Sequence, residues 1–370
     1  MEAYGAAVEP SRDEAGMSRR DAGPARQCDV TGGIVLPIEP PCPARFPLVL
    51  DRGARTNADA PREVLGRLLE RDGETIRSAL PRHGAVLLRE TGVTEPDDLE
   101  WFLAELTGSS PSAYDGGVSP RRRVAGRVYT STELPGHIPL GLHNELSYSS
   151  KYPSSLAFLG RSRATSGGET LLANGRAVLA GIDREVVSAF ERRGVRYDFT
   201  YPGRNRMLET LNRVSGGLVG KTWMEVFETD DRALAEERCR RAGFEVDPSD
   251  GEGIRAHVVR PATITHPQTG EKAWFNHAHV FEPNPQASGW AAYAETKVAY
   301  LWPSLHLHAA TYGDGSRIPR RALDAVGRAI ARETVSILLE PTDLLLIDNL
   351  VCMHGRARFR GPRKVLVAMA

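Results

Sequence analysis

A histidine and a glutamate stand two positions apart in the stretch GLHNELSYS, residues 141–149. Residues i and i+2 of a β-strand project from the same face, so a strand here would direct the imidazole of His143 and the carboxylate of Glu145 to one side. With a second histidine from elsewhere, they would form the two-histidine, one-carboxylate set that binds non-haem Fe(II) and leaves coordination positions open. An H-x-E triplet also arises by chance, so the third ligand is decisive.

The third ligand must come from another histidine of the chain. Two pairs with strand spacing compete for this role, His277 with His279 and His306 with His308. His354 is the stronger candidate, because it follows the apolar run DLLLIDNLVCM, which predicts a buried strand. A histidine at the end of such a strand is expected where the β-core opens to a cleft.

Four arginines follow this histidine in the segment GRARFRGPRKV: Arg356, Arg358, Arg360 and Arg363. As a group they could form a solvated turn. Arg363 differs from the others because it opens the final apolar strand. A guanidinium directed from there into a barrel requires a buried anion as its partner.

The elements that must position these residues are mainly β. Short β-rich runs separated by turn residues extend from 127 to 202, return at IRAHVVRPATITH and KAWFNHAHVF, and close the chain. Helices are expected after ADAPREV, after a capping box formed by Thr94 and Asp97, and at about 183–193, 229–242, 287–301 and 318–334. Neither a fixed-period repeat nor a parallel βαβ rhythm is present. The sequence therefore predicts mostly antiparallel β-structure with inserted helices.

The amino-acid composition limits the possible domain organisation and binding partners of the protein. Residues 1–45 are rich in Gly, Ala, Pro and charge and predict a flexible tail, which leaves 46–370 as a single domain. The 47 basic and 47 acidic residues balance, so the protein has no overall positive potential that would attract nucleic acid. No apolar run approaches the roughly 18 residues that span a bilayer, and the 4 cysteines are scattered. We expect a cytoplasmic protein with reduced thiols and with no nucleic-acid or membrane partner.

Several motifs occur in one order over about residues 80–370: HNELSYSSKYP, FLG, SGGETLLANGR, HPQTGEKAWFNHAHVF, GDGSRIP and DLLLIDNLVCMHGRARFRGPRKVLVAM. In this order the sequence resembles the Fe(II)- and 2-oxoglutarate-dependent oxygenases of the taurine dioxygenase (TauD/TfdA) superfamily, especially the SyrP-like and clavaminate synthase-like branch. The resemblance implies a double-stranded β-helix, the jelly-roll core of cupin-like folds. A helical insertion at about 203–320 is then expected to cover the cleft.

The resemblance also implies roles for individual residues. His143, Glu145 and His354 would bind iron, while Arg363 and Thr170 of GGET would bind the distal carboxylate of 2-oxoglutarate. A guanidinium and a hydroxyl donor suit a carboxylate shielded from water. Fe(II), 2-oxoglutarate and O2 would then yield succinate, CO2 and a product hydroxylated at an unactivated C–H bond. Glu145 disfavours halogenation, because related halogenases lack this carboxylate and leave room for chloride.

The substrate implied by the resemblance is an amino acid or an amino-acid-derived natural-product intermediate, free or tethered to a carrier protein. The candidate substrate-binding residues are Tyr129, Ser131, Glu133, Arg204 and Asn276. Each has a structural alternative, such as packing for an aromatic ring or backbone hydrogen bonds for a buried amide. Taurine-type members carry a further arginine where this chain has only KVLVAMA. A sulfonate substrate is therefore not expected, and a substrate acid must find its counter-charge elsewhere.

Three alternatives stay open at this point. The same cofactor chemistry could give desaturation, cyclisation or epimerisation, because the outcome depends on very fine placement of the substrate. The chain could instead be a non-catalytic barrel that binds a small molecule. A zinc hydrolase built on His277 and His279 is the third alternative, and it would need no 2-oxoglutarate.

Overall fold

The computed structural model describes the backbone of residues 26–27 and residues 46–50, 60–114, 117, 121–204, 210, 221–248, 251–282 and 307–370. Most of the expected N-terminal tail lies outside these residues. So do the helix expected at 287–301 and the residue His306.

The described helices include most of those expected from the sequence. They are α1 Pro61–His83, α2 Pro96–Thr107, α3 Gly175–Ala180, α4 Arg184–Arg193, α5 Trp223–Phe227, α6 Arg232–Arg241, α7 Ala278–Phe281 and α8 Arg320–Glu333. The expected capping box before α2 is wrong, because Glu95 is the N-cap residue, Pro96 begins the helix and no side chain caps it. Proline at the first helical position needs no amide donor, which explains this start. None of the helices in the described parts of the chain is long and apolar enough to cross a membrane.

The strands alternate with these helices along the chain. They are β1 Arg26–Gln27, β2 Leu48–Leu50, β3 Ala85–Leu88, β4 Arg123–Ala125, β5 Val128–Thr130, β6 Leu140–His143, β7 Ser155–Ser162, β8 Ser166–Gly167, β9 Thr170–Asn174, β10 Val195–Tyr201, β11 Glu245–Asp247, β12 Ile254–Arg260, β13 Thr263–Thr265, β14 Lys272–Trp274, β15 His308–Tyr312, β16 Val335–Ile337, β17 Leu344–Asp348, β18 Cys352–Arg356, β19 Phe359–Arg360 and β20 Lys364–Met369. The expectation of a mainly β fold with inserted helices is confirmed.

Two sheets form the body of the domain. The major sheet has the order β2-β3-β17-β7-β20-β5-β4, and the minor sheet has the order β1-β16-β9-β18-β6. Their pairings are antiparallel except for β2 with β3 and β1 with β16. Successive side chains of a strand point to opposite faces, so a strand covered on both faces is apolar throughout.

Strand β17 illustrates this double coverage. Leu345 and Ile347 belong to the same hydrophobic cluster as Leu172 of the minor sheet. Leu344 and Leu346 belong to a second cluster with the apolar faces of α1 and α2. The major sheet is therefore packed between the minor sheet on one face and two helices on the other, which gives the strands of the candidate site a rigid support.

The segment 203–320 is not wholly helical, which corrects the expected helical insertion. Its described part contains α5 to α7 together with the strands β11 to β15. Strands β11, β12 and β15 join β10 in a third sheet of order β11-β12-β10-β15. Ile254, Ala256 and Val258 of β12 are buried alternately with more exposed residues. This period of two is typical of a strand with one covered face.

Candidate active site

Two neighbouring strands of the minor sheet bring two histidines together. His143 ends β6, and its register partner on β18 is His354. The two ring centroids are 4.4 Å apart. The strands can approach this closely because residue 355 is a glycine, where a Cβ atom would lie only 2.6 Å from the Leu140 carbonyl oxygen.

Glu145 completes the group from a turn, not from a strand. Strand β6 ends at His143, and Leu146 has a positive φ of 54°, so the expectation that His143 and Glu145 share one face of a strand is wrong. The turn nevertheless brings Oε2 of Glu145 to 3.5 Å from Nε2 of His354. One potential ligand atom from each of the three buried side chains lies within 4.8 Å of the others.

The protonation of these groups suits a cation. Nδ1 of His143 lies 2.8 Å from the Gly141 carbonyl oxygen, to which it can donate its hydrogen, leaving Nε2 with a free lone pair. Burial, and then the neighbouring His354, lower the pKa of His143 to about 3, so its ring is neutral at pH 7. Burial opposes ionisation of Glu145, but the Arg121 guanidinium and the histidines overcome this effect and hold the carboxyl pKa below its usual range.

His354 supplies the observation that tests whether a metal fits. Both of its ring nitrogens are buried, and neither has a hydrogen-bond partner. Buried polar atoms are normally paired, because leaving them unsatisfied costs about 1–3 kcal/mol each. A divalent cation bound by His143, Glu145 and His354 would satisfy one of these nitrogens, so the donor set fits Fe(II).

Asn349 holds the backbone of Glu145 from both sides. Its side-chain oxygen accepts a hydrogen bond of 2.7 Å from the Glu145 amide, and its side-chain amide donates to the carbonyl oxygens of Glu145 at 2.9 Å and of Pro153 at 2.8 Å. Asn349 is fully buried. It therefore positions Glu145 through contacts with the backbone of that residue.

We expect Asn349→Ala to weaken metal binding by about 10–100-fold, the usual cost of losing an outer-shell partner. The affinity for Mn(II), measured by titration under conditions that keep the fold, checks this expectation. Asn276→Ala is the matched control, since Asn276 is also a buried amide bonded to backbone, at Ala262 and Ala278. Equal Mn(II) affinities of the two folded variants would contradict the positioning role.

A cavity opens beside His354, and its wall includes Arg121, Ser131, Thr170, Arg356 and Arg363. The Nε of Arg363 donates to the Gly168 carbonyl oxygen at 2.8 Å, and one of its terminal nitrogens lies 3.4 Å from the Thr170 hydroxyl. The structure thus brings together the two residues expected to share a carboxylate.

Among the described residues no ion pair joins Arg363 to a carboxylate, although Glu169 lies near enough to raise its pKa. Burial, and then the nearby Arg356, lower its pKa to about 10, so the guanidinium stays charged at pH 7. A half-buried cation of this kind is stabilised by an anion that offsets its desolvation.

The other arginines of the GRARFRGPRKV segment do not act as a group. Arg358 and Arg360 are exposed. Arg356 is buried, and its two terminal nitrogens donate to the carbonyl oxygens of Thr132, Leu134, Pro135 and Ile138. It therefore anchors the loop between β5 and β6.

Arg121 was not among the site residues predicted from the sequence. Its side chain is only 2% exposed, and a terminal nitrogen lies 2.5 Å from Oε2 of Glu145. Arg121 stands first in a run of three arginines, which on sequence alone is typical of a solvated surface. No sequence signal separates it from Arg122, which is exposed and pairs with Glu133.

His277 and His279 do not form the strand pair that the zinc alternative requires. His277 is the N-cap residue of the short helix α7, and His279 lies within that helix. Nδ1 of His277 lies 2.6 Å from the Ser147 hydroxyl, and Nε2 of His279 lies 2.7 Å from the Leu142 carbonyl oxygen. Within the residues that the structure describes, His143, Glu145 and His354 are the group able to hold a metal ion.

Comparison with known proteins decides the family. Residues 46–369 match the model of the "Taurine catabolism dioxygenase TauD, TfdA family". The chain belongs to this family. The dioxygenase is 28% identical to dapdiamide synthesis protein DdaC of Enterobacter agglomerans over 80% of this chain and 84% of that protein. It is 29% identical to a clavaminate synthase-like protein of Arabidopsis thaliana over 79% and 83% of the two chains.

A similar solved structure is that of the PvcB protein from Pseudomonas aeruginosa. It is 14% identical, covers 88% of this chain and 86% of its own, and has a TM-score of 0.47. The match to the family model confirms the expected family resemblance, and Fe(II), 2-oxoglutarate and O2 are the cofactor and cosubstrates of this dioxygenase.

Of the five residues expected to bind substrate, Ser131 is the one that lies on the wall of the described cavity. Tyr129 is buried in the main hydrophobic cluster, and its hydroxyl accepts a hydrogen bond from the Tyr114 amide at 3.1 Å. Tyr129 therefore serves packing in this dioxygenase, and its expected contact with the substrate is not supported.

The other three expected substrate residues also lie elsewhere. Glu133 is directed to the surface, where it forms an ion pair of 2.8 Å with Arg122. Arg204 is exposed. Asn276 is buried, but its amide is satisfied by backbone atoms, its oxygen accepting from the Ala278 amide at 3.1 Å. The pairing of Glu133 with Arg122, 11 positions earlier, could not be read from the local motif.

Proposed function

We propose that this TauD/TfdA dioxygenase hydroxylates an unactivated C–H bond of an amino acid or an amino-acid-derived natural-product intermediate, with release of succinate and CO2. One observation carries the proposal: His143, Glu145 and His354 converge beside a cavity that also contains the guanidinium of Arg363. The relative DdaC is named for dapdiamide synthesis, which supports a natural-product role for this chain.

In this proposal each residue has a distinct task. His143 and His354 would hold Fe(II) with neutral ring nitrogens, and Glu145 would hold it with an ionised carboxylate. With 2-oxoglutarate and O2, the iron would supply the oxidising power to remove hydrogen from an unactivated C–H bond. Arg363 and Thr170 would bind the distal carboxylate of 2-oxoglutarate through charge-assisted hydrogen bonds.

Burial of the site supports the same chemistry. All three proposed ligands are buried, and the apolar side chains of Leu140, Phe158 and Val365 line part of the cavity. A site enclosed in this way excludes water, which strengthens the electrostatic contacts inside it and prevents side reactions. The two facing sheets would form a double-stranded β-helix core that holds the proposed ligands in place.

The test begins without O2. Fe(II) and 2-oxoglutarate added anaerobically should produce a visible charge-transfer band, and the absence of a band in the folded protein would overturn the proposal. Succinate formation is then measured with free amino acids and with their carrier-bound thioesters. A product that gains one oxygen atom supports hydroxylation, whereas a product that lacks two hydrogens would assign desaturation or cyclisation instead. An unchanged mass with inverted configuration would assign epimerisation.

A non-catalytic barrel is the second outcome that the same experiment addresses. Such a protein would bind a small molecule but would form no succinate above the level of a Glu145→Gln variant. The convergence of His143, Glu145 and His354 argues against it, because the two buried, unsatisfied nitrogens of His354 cost stability unless a cation satisfies one of them.

A further inference from the structure

Arg121 differs from the other two guanidinium groups of the cavity in how few partners it has. One terminal nitrogen pairs with Glu145. The other terminal nitrogen has only the Met369 sulfur at 4.0 Å, and Nε is buried without a hydrogen-bond partner. A guanidinium has five N–H donors, so several donors of this buried side chain are available.

The other two guanidinium groups are engaged. Arg356 uses both terminal nitrogens on four backbone carbonyl oxygens. Arg363 faces Thr170 and has the proposed task of binding 2-oxoglutarate. The Nε of Arg356 is also buried without a partner, but both of its terminal nitrogens are engaged. Of the described arginines on the cavity wall, Arg121 thus has a terminal nitrogen and Nε left for a ligand other than 2-oxoglutarate.

The charge balance of the loaded cavity calls for an anion. Three guanidinium groups line it, while Glu145 pairs with Arg121 and Glu169 lies near Arg363. Fe(II) would add two positive charges, while the carboxylates of 2-oxoglutarate would add two negative ones. Because Glu145 would share its charge with the metal, Arg121 would be left without full compensation in a low-dielectric site.

The surroundings of Arg121 add positive charge. Its guanidinium lies over the Tyr114 ring at 4.6 Å from the centroid, and the Lys221 ammonium lies 5.9 Å from the same centroid. Burial, and then Arg121, lower the pKa of Lys221, which is consistent with two cations close together. Tyr114 offers a ring face but no formal negative charge to either of them.

We propose that Arg121, supported by Lys221, binds a free carboxylate of the substrate next to the metal site. This inference rests on the proposed function and narrows its substrate class. Since Arg121 also contacts Glu145, the bound carboxylate would lie within a few bonds of the carbon that is oxidised. Arg121 would supply the positive counter-charge for a substrate acid that the C-terminal sequence KVLVAMA lacks. A carrier-bound thioester has no negative charge at its acyl end and would not satisfy Arg121 there.

The experiment uses propionate and its neutral counterpart propionamide as probes. The full-length protein is loaded with Mn(II) and the inert 2-oxoglutarate analogue N-oxalylglycine. Paramagnetic Mn(II) accelerates the relaxation of probe methyl protons that bind near it, so NMR relaxation rates give both affinity and proximity. We expect propionate to bind more tightly than propionamide, and Arg121→Met to weaken propionate binding by about tenfold or more.

Arg122→Met is the matched control, because Arg122 is the adjacent arginine and is exposed at the surface. It should retain the preference for propionate. Arg121→Lys keeps the positive charge but not the planar fork, so an intermediate preference is expected. It also provides the comparison if Arg121→Met no longer holds Mn(II).

Three results would overturn the inference. First, the wild-type protein could bind propionate and propionamide equally. Second, Arg121→Met could keep the full preference for propionate, which is the result expected if the metal alone binds the acid. Third, Arg121→Lys could show the same preference for propionate as the wild type. The experiment needs no turnover. Loss of the Fe(II) and 2-oxoglutarate band would therefore refute the proposed function separately from the role of Arg121.

Discussion

Replacing His354 with alanine is expected to abolish Fe(II) binding while the domain remains folded. His354 sits opposite His143 in the register of two paired strands, so its loss removes one of the three proposed ligands without breaking a hydrogen bond. Changes in outer-shell partners already cost about 10–100-fold in metal affinity, and the loss of a ligand should exceed that range. Anaerobic titration with Fe(II) and 2-oxoglutarate, followed by the visible band, measures the effect.

Two further variants separate metal binding from folding. His354→Phe retains a ring of similar size that can pack against Phe158, whose ring centroid lies 5.2 Å away, and removes both unsatisfied nitrogens. Its metal-free form should therefore melt no lower than the wild type. His308→Ala removes a partly buried histidine from the third sheet and should keep the band. A band of wild-type strength in folded His354→Ala would contradict the ligand role.

Strand patterns and motif order in the sequence predicted much of this site. The apolar run before His354 predicted β17 and the start of β18, and the GGET motif placed Thr170 near the proposed 2-oxoglutarate position. These features are local, because period-two hydrophobicity and motif spacing are properties of neighbouring residues. The mainly β architecture followed from the same kind of signal.

The turn that contains Glu145 could not be predicted in this way. It is held by Asn349, which bonds both the amide and the carbonyl of Glu145 from 204 positions away in the chain. Alternation along GLHNELSYS predicted a continuing strand, whereas these distant hydrogen bonds and the positive φ at Leu146 select a turn. The expected convergence of His143 and Glu145 occurs, but for a different physical reason.

The burial of Arg121 likewise could not be predicted from the local sequence. Arg121 and Arg122 are neighbours of identical type, yet one is buried against Glu145 and the other is exposed beside Glu133. Burial of a guanidinium depends on a counter-charge supplied by the fold, which composition does not encode. Strands within the segment 203–320 were predicted at IRAHVVRPATITH and KAWFNHAHVF, but the third sheet was not, because β12 and β15 form it with β10, outside the segment.

Arg363→Leu is expected to weaken 2-oxoglutarate binding by about 10²–10³-fold while Fe(II) binding persists. The loss of one partner of a buried ion pair costs about 3–5 kcal/mol. Because Arg363 is only partly buried, we expect the lower half of that range, about 3–4 kcal/mol, which corresponds to about 10²–10³-fold at about 1.4 kcal/mol per tenfold. Arg363 lies on the cavity wall with Thr170, and no described carboxylate pairs with it, so the anion would be the missing partner. Titration of the charge-transfer band with 2-oxoglutarate gives the dissociation constant.

Arg360→Leu is the matched control, because Arg360 belongs to the same arginine-rich segment but is exposed. It should bind 2-oxoglutarate as the wild type does. Arg363→Lys should recover part of the affinity, since it restores the charge without the two parallel donors of a guanidinium. Thr170→Val should cost less than Arg363→Leu, because a neutral hydrogen bond contributes less than a charged one. If Arg363→Leu and Arg360→Leu bound 2-oxoglutarate equally, the distal carboxylate would have to be held elsewhere, and Arg356 would be the next residue to test.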